Sequence, residues 1–380
     1  MVFSLAACGG GSSETPAPET TTPAETAPAE TASATDMKVA MITDYGDITD
    51  QSFNQTTYEA CNEFCTANSV EFTYYKPAGD STAERVAMVD AAVAEGYNVV
   101  VMPGYAFAET IKETAEMYPD VTFIALDVGE GDLGADYTVP SNVYCAVYQE
   151  ELCGYMAGYA AVKLGYTHLG FLGGMAVPAV QRYGYGFVQG ADAAAAELGN
   201  GADVTVEYVY GNQFFGDADI TAYMDNWYQT QGVEVVFACG GGIYTSAAEA
   251  AAKVGGKVIG VDVDQAAIID AYGEGMTVTS AMKGLANTTK HLLQEVMDGN
   301  FANYGGQIET LGLVSGDDPT ANYVQLPMES TQWSDTFTQD NYKALVAGMY
   351  DGTITVSNDV SVAAADYATV ITVNEYGNIK

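Results

Sequence analysis

The segment Val39–Asn54 reads VAMITDYGDITDQSFN and sets Asp44, Asp50, Ser52, Phe53 and Asn54 just after an apolar run, Val39–Ile42. A strand that ends in acids at a strand-to-helix turn puts polar groups on the carboxyl edge of a sheet. Open α/β proteins bind ligands at that edge. A Phe beside Asn and Asp can stack on a flat ring and hydrogen-bond its rim. This is recognition chemistry and requires no bond to be broken.

Further apolar runs end in the same way. Their last residues include Gly104, Asp127, Gly173-Gly174, Gly211-Asn212, Gly240-Gly241-Gly242, Asp262 and Lys283. Asp262 in GVDVDQ can accept from a sugar hydroxyl, and Lys283 in TSAMKG can donate to one. The same two residues also read as a structural ion pair. The triple glycine lets a backbone approach a ligand closely. Phe214 and Phe215 follow another strand end in YGNQFFGD. Either one, paired with Phe53, could sandwich a ring whose N–H or amino group Asp127 accepts. Taken singly, each Phe reads as core.

Several chemistries lack their motifs. The triple glycine at 240–242 is neither a GxGxxG nor a phosphate loop ending in GK[ST], and the chain has no GxSxG elbow and no HExxH. The two histidines, His168 and His291, form no cluster with cysteine, so neither a metal nor another cofactor is expected. Acids are plentiful, which keeps paired-carboxylate hydrolysis of a glycoside or nucleoside open as the alternative class.

These residues need a scaffold that aligns strand ends. Strand-like runs are expected at 38–43, 70–76, 98–103, 121–127 and 142–148. A second series follows at 168–172, 204–210, 233–239, 257–262 and 278–282. Helical patterns lie between them, for example at 52–67, 82–95, 150–164, 181–198 and 284–297. Near-continuous Val/Ile/Phe runs fit parallel strands covered on both faces. Ten βα units divide into two open sheets of about five strands each, and the pattern restarts at Gly165–Gly174. The expected fold is α/β, with two doubly wound Rossmann-like lobes joined by a hinge and facing across a cleft. A single TIM barrel is the competing fold. The expected division gives residues 37–145 plus 265–313 to an N-terminal lobe and 146–264 plus 314–380 to a C-terminal lobe.

The 380 residues are 48% apolar, enough for a substantial core, and carry a net charge of −38. That charge opposes binding to nucleic acid or to an anionic membrane surface. At the start, Leu5-Ala6-Ala7-Cys8 has the small-residue pattern of a lipoprotein cleavage site. Residues 1–8 read as the remnant of a signal peptide whose start lies further upstream. Residues 9–36 contain PAET twice and no aromatic or basic residue, so they are expected to form a disordered tether of roughly 30 Å. Cys8 is then the expected lipidation site, and the membrane is reached through that anchor alone. The other cysteines, Cys61, Cys65, Cys145, Cys153 and Cys239, are odd in number and read as small buried thiols.

MITDYGDITDQSFNQ, VTFIALD, EELCGYMAGYAA, GFLGGMAVP, ACGGG, VIGVDVDQ and TSAMKG occur in an order and spacing that resembles the basic membrane protein family. These are substrate-binding lipoproteins of ABC transporters, and their characterised members include purine nucleoside receptors. The resemblance covers about residues 37–313. It implies the type I periplasmic-binding-protein fold, a nucleoside ligand, a permease partner, a monomer outside the cytoplasm and no catalysis. It implies that Phe53 and Phe214 stack on the base, with Asn54 and Asp127 reading it. It further implies that Asp262, Lys283 and Gly241 hold the ribose, with Asp44 and Asp50 in the same region. The chain departs from the family at Ala176, where an acid is usual, at NQFFGD, and in the segment 314–380. A sensor feeding a signalling protein is a further reading of the same fold.

Overall fold

Five runs in the first half of the chain form strands because their side chains can be buried on both faces. They are β1 (Lys38–Ile42), β2 (Glu71–Tyr75), β3 (Val99–Pro103), β4 (Thr122–Leu126) and β5 (Val143–Tyr148). Every residue of β3 and β4 is buried. The computed structural model describes Asp36–Lys380. Leu5–Cys8 and the tether up to residue 35 lie outside the described residues.

The second series gives β6 (His168–Gly173), β7 (Thr205–Tyr210), β8 (Val235–Cys239), β9 (Lys257–Asp262) and β10 (Thr277–Lys283). Three more strands complete the sheets: β11 (Gln307–Leu311), β12 (Val324–Gln325) and β13 (Thr372–Asn378). One sheet has the order β11-β5-β4-β3-β1-β2, and the other β12-β10-β9-β8-β6-β7-β13. All pairings are parallel except that of β10 with β12. Two open sheets exclude the barrel. Both contain the doubly wound order 2-1-3-4-5, with the switch point between β1 and β3 in one lobe and between β6 and β8 in the other.

The strand topology corrects the expected lobe boundaries. The division after residue 145 would cut β5, which runs on to Tyr148 and pairs with β11 over that end. Residues 277–283 were expected in the first lobe, yet β10 pairs with β9 from Val258 to Asp262. The chain therefore crosses between lobes after Tyr148, after Lys283 and after Leu311. A parallel strand's neighbours are chosen by pairing across long sequence separations, which local patterning does not encode.

Two helices of the second lobe position the site. Glu150–Lys163 and Pro178–Leu198 pack at backbone distance through two interlocked glycine pairs. A Cβ on Gly154 or Gly158 would stand 2.0 Å from the Tyr183 or Phe187 carbonyl oxygen, and one on Gly190 would stand 2.0 Å from that of Tyr155. Such contact tolerates no side chain, and it sets Glu150 and Glu151 beside Arg182 and Tyr183. Cys61, Cys65, Cys145, Cys153 and Cys239 are all buried and unbridged.

Candidate functional site

Asp127 follows β4 and Asp262 closes β9, the equivalent strands of the two lobes. Both adopt left-handed backbone angles, with φ of 59° and 65°. Few residues other than glycine hold that conformation, which recurs at functional sites. From the two lobes these carboxylates converge on Lys283 at the end of β10. The ammonium lies 2.5 Å from Asp127 Oδ2, 3.4 Å from Glu150 Oε1 and 3.8 Å from Asp262 Oδ1. It also faces the rings of Phe53, Tyr148 and Tyr183 at 4.7, 5.4 and 5.7 Å. Arg182 Nε donates to Glu150 Oε2 at 2.7 Å, and Ser52 Oγ donates across the lobes to Asp262 Oδ2 at 2.6 Å.

Lys283 is only 2% exposed at its side chain and Glu150 is 0% exposed, so these charges interact with little screening by water. Burial works against the Lys283 ammonium, but Asp127, Glu150 and Asp262 outweigh it and hold the proton firmly. Burial pushes the Asp127 carboxyl up to about 6 despite the opposing pull of Lys283. Asp262 is raised by burial too, with Lys283 and Ser52 pulling it back. Glu151, next to the cluster, is pushed up to about 7 by burial and then by the Glu150 charge.

The first lobe's motif is ordered by its own acids. Asp44 accepts the N–H groups of Tyr45 and Gly46, both at 2.7 Å. Asp50, expected among the ligand groups, is instead committed to the helix Phe53–Asn68. Its carboxylate accepts the N–H of Ser52 at 2.9 Å, of Asn54 at 2.9 Å and of Gln55 at 3.0 Å. It also takes the Asn54 side-chain amide at 3.2 Å. That contact orients the amide, so Asn54 Oδ1 is left as a buried acceptor without a partner. Asp127 Oδ1 is a second such acceptor. Buried polar atoms are nearly always paired, so these two acceptors are exceptions with capacity for a donor.

Phe53 meets Lys283, whereas Phe214 lies on Gly174 and Gly240. Phe214 stacks on Tyr45 of the opposite lobe, with ring centres 6.2 Å apart and 28° between planes. Phe215 is 60% exposed, which leaves Phe214 as the aromatic of that loop turned inward. Gly241 has φ 51°, and its neighbour Gly242 donates its N–H to the Phe214 carbonyl at 2.8 Å. Asp127, Asp262, Lys283 and Phe53 are thus brought together. Asp44 and Asn54 lie by the Asp50 turn, and Phe214 and Gly241 lie on the facing loops.

Sequence reasoning did not single out Tyr45, Glu150, Arg182 or Tyr183. Glu150 opens a helix, where an acid is ordinary for the helix dipole. Arg182 and the tyrosines lie within helical or strand-like runs, and only the fold turns them toward Lys283. Tyr45 stood next to Asp44 at the first strand end, and that placement was the available signal. Its hydroxyl lies 3.4 Å from Met175 Sδ of the other lobe. Among the described residues no group of acids, histidines and cysteines is arranged to hold a metal. No described helix is long and apolar enough to cross a membrane.

The nucleoside-binding protein BmpA of an ABC transporter from Lactococcus lactis is 27% identical over 300 residues, which cover 74% of this chain and 80% of that protein. Basic membrane protein B of Borreliella afzelii is 25% identical over 287 residues, covering 74% and 79%. A solved ABC transporter solute-binding protein from Conexibacter woesei superposes with a TM-score of 0.65 at 23% identity, over 85% of this chain and 99% of that one. The fold is that of the periplasmic binding proteins, as the family resemblance implied. Residues 37–318 match the family described as Bmp, ABC transporter substrate-binding protein PnrA-like, and the chain belongs to that family of substrate-binding proteins.

Proposed function

We propose that this protein captures a nucleoside, with a purine base, between its lobes outside the cytoplasm and delivers it to the permease of an ABC importer. Capture works by hinge closure across the three chain crossings, without chemistry on the ligand. The observation that carries the reading is the Lys283 cluster, where the buried Asp127 Oδ1 lacks a donor and aromatic rings face the ammonium. Asp262 and Lys283 suit a ribose diol, and Phe53 with Phe214 suits a base. The name of the Lactococcus lactis relative supports the ligand class. Three carboxylates around two cations disfavour a phosphorylated ligand.

Calorimetric titration with nucleosides, sugars and amino acids tests this reading. One nucleoside per chain is expected, and a ligand at about 100 times its dissociation constant should stabilise the fold by ~2.7 kcal/mol. Phe53→Ala should weaken nucleoside binding by about 1–3 kcal/mol, the scale of base–aromatic stacking. Heat from a sugar or an amino acid, with none from any nucleoside, would sink the ligand assignment. Parent-like binding by Phe53→Ala would make Phe53 a core residue.

Attachment through lipid on Cys8 belongs to the same proposal, with the acidic tether setting the reach. With a complete signal sequence upstream, the parent should fractionate with bacterial membranes and Cys8→Ala should not. Equal release of both into the medium would rule out the anchor and leave a secreted receptor.

A further inference from the structure

The family match ends at residue 318, and the residues beyond it are built into the second lobe. Asp192 Oδ1 accepts the N–H groups of Thr369, Val370 and Ile371 at 2.8, 2.8 and 3.2 Å. From there β13 runs parallel along the edge of β7, with Tyr376 donating its hydroxyl to Glu207 at 2.6 Å. The strand pairs Asn378 with Tyr210, and the Ile379 N–H donates to the Tyr210 carbonyl at 2.8 Å. Tyr210 is the last residue of β7. The next residues form the loop that carries Phe214.

At that point Lys380 reaches Asp217, with Asp219 Oδ2 3.7 Å away. Asp217 closes the loop. Its Oδ1 accepts the Asp219 and Ile220 N–H groups, both at 3.0 Å, and so caps the helix Ala218–Asn226. Its Oδ2 accepts Gln213 Nε2 at 2.9 Å, and Gln213 Nε2 also donates to the Phe215 carbonyl at 2.8 Å. A chain of polar contacts therefore runs from Lys380 through Asp217 and Gln213 to the turn at Phe214–Phe215. Elsewhere the loop is held by the bridge to Gly242, by the Asn212 N–H on the Gly174 carbonyl at 2.8 Å and by the Asp217 N–H on Ser246 Oγ at 3.0 Å. Phe215 is in solvent, so the apolar hold on the turn comes from Phe214 alone.

We propose that β13 and Lys380 form a positioning element for the Phe214 loop, holding the aromatic face that meets Tyr45 across the cleft. Its effect on affinity rests on the nucleoside reading, whereas its effect on the loop does not. Lys380 touches no cleft residue, so it acts through Asp217 and Gln213.

Hydrogen exchange of the unliganded full chain, followed by titration with inosine, tests the proposal in Lys380→Ala, Lys380→Arg and a variant lacking residues 372–380. In Lys380→Ala the amides of Asn212–Gly216 should exchange about two- to fivefold faster, the range of a partly exposed ion pair. Inosine affinity should fall by a similar factor while the unfolding midpoint stays put. Lys380→Arg should restore both, and removal of 372–380 should exceed Lys380→Ala in both. Parent-like exchange of the loop in Lys380→Ala overturns the proposal whatever the ligand proves to be. A loosened loop with unchanged inosine affinity overturns its role in binding. If the parent itself gives no heat with inosine, the exchange result alone decides the bracing. If the shortened variant does not fold, the two Lys380 variants carry the test.

Discussion

Lys283→Met should abolish nucleoside capture and destabilise the folded chain by about 3–5 kcal/mol, the cost of leaving buried charge without its partner. The parent ammonium is surrounded by Asp127, Glu150 and Asp262, and Arg182 reaches only Glu150. Methionine matches the length of the side chain but supplies no charge and no donor. Asp127 and Asp262 would then face each other across the lobes as uncompensated acids, and closure would bring them together. Adding Asp127→Asn to Lys283→Met removes one of those charges. The double variant should regain part of the lost stability while binding stays absent. Chemical denaturation and calorimetry on the three proteins check this. A Lys283→Met protein as stable as the parent would mean that the acids are not held as an ion cluster around Lys283.

The second large effect concerns pH. Glu151 is 3% exposed, and its Oε2 has no partner. Its carboxyl is pushed from 4.5 to about 7, so the folded chain keeps this proton at a pH where the unfolded chain has lost it. Stability from this group is complete below pH 4.5 and is lost as the pH rises toward about 7. At 1.36 kcal/mol per pH unit the loss is on the order of 3 kcal/mol. Asp127 acts in the same sense between 3.8 and about 6. The protein should therefore unfold at a higher temperature at pH 5 than at pH 8. Glu151→Gln cannot ionise, so it should flatten the profile between pH 5 and 7 and stabilise the fold at pH 8. Thermal unfolding at stepped pH tests this, and parallel profiles for parent and variant would refute it.

Both effects come from residues of unequal visibility in the sequence. Asp127, Asp262 and Lys283 were legible because each ends an apolar run, and in a parallel sheet the carboxyl ends of strands share one edge. The two-lobe α/β architecture was legible for a related reason. Strands covered on both faces are written as short apolar runs, and ten of them separated by helical patterns leave few other folds.

Glu150, Glu151 and Arg182 carry no such local signature. An acid in a helix's first turn and an arginine in its next neighbour look solvated until Gly154, Gly158, Gly186 and Gly190 bring the two helices to backbone contact. The same limit hid the role of Asp50, whose carboxylate looked free but is consumed by N–H groups one turn away.

By itself the sequence determined the alternation of strands and helices, and with it the residues that stand at strand ends. Those features depend on periodicity and turn chemistry within a few residues. Only the tertiary structure decided that β10 joins the second sheet and that Tyr45 meets Phe214. It alone decided that β13 closes the edge beside β7 and that an ion cluster forms around Lys283. Each of these joins residues far apart in the chain, and such contacts are chosen by which burial and pairing satisfy the whole molecule at once.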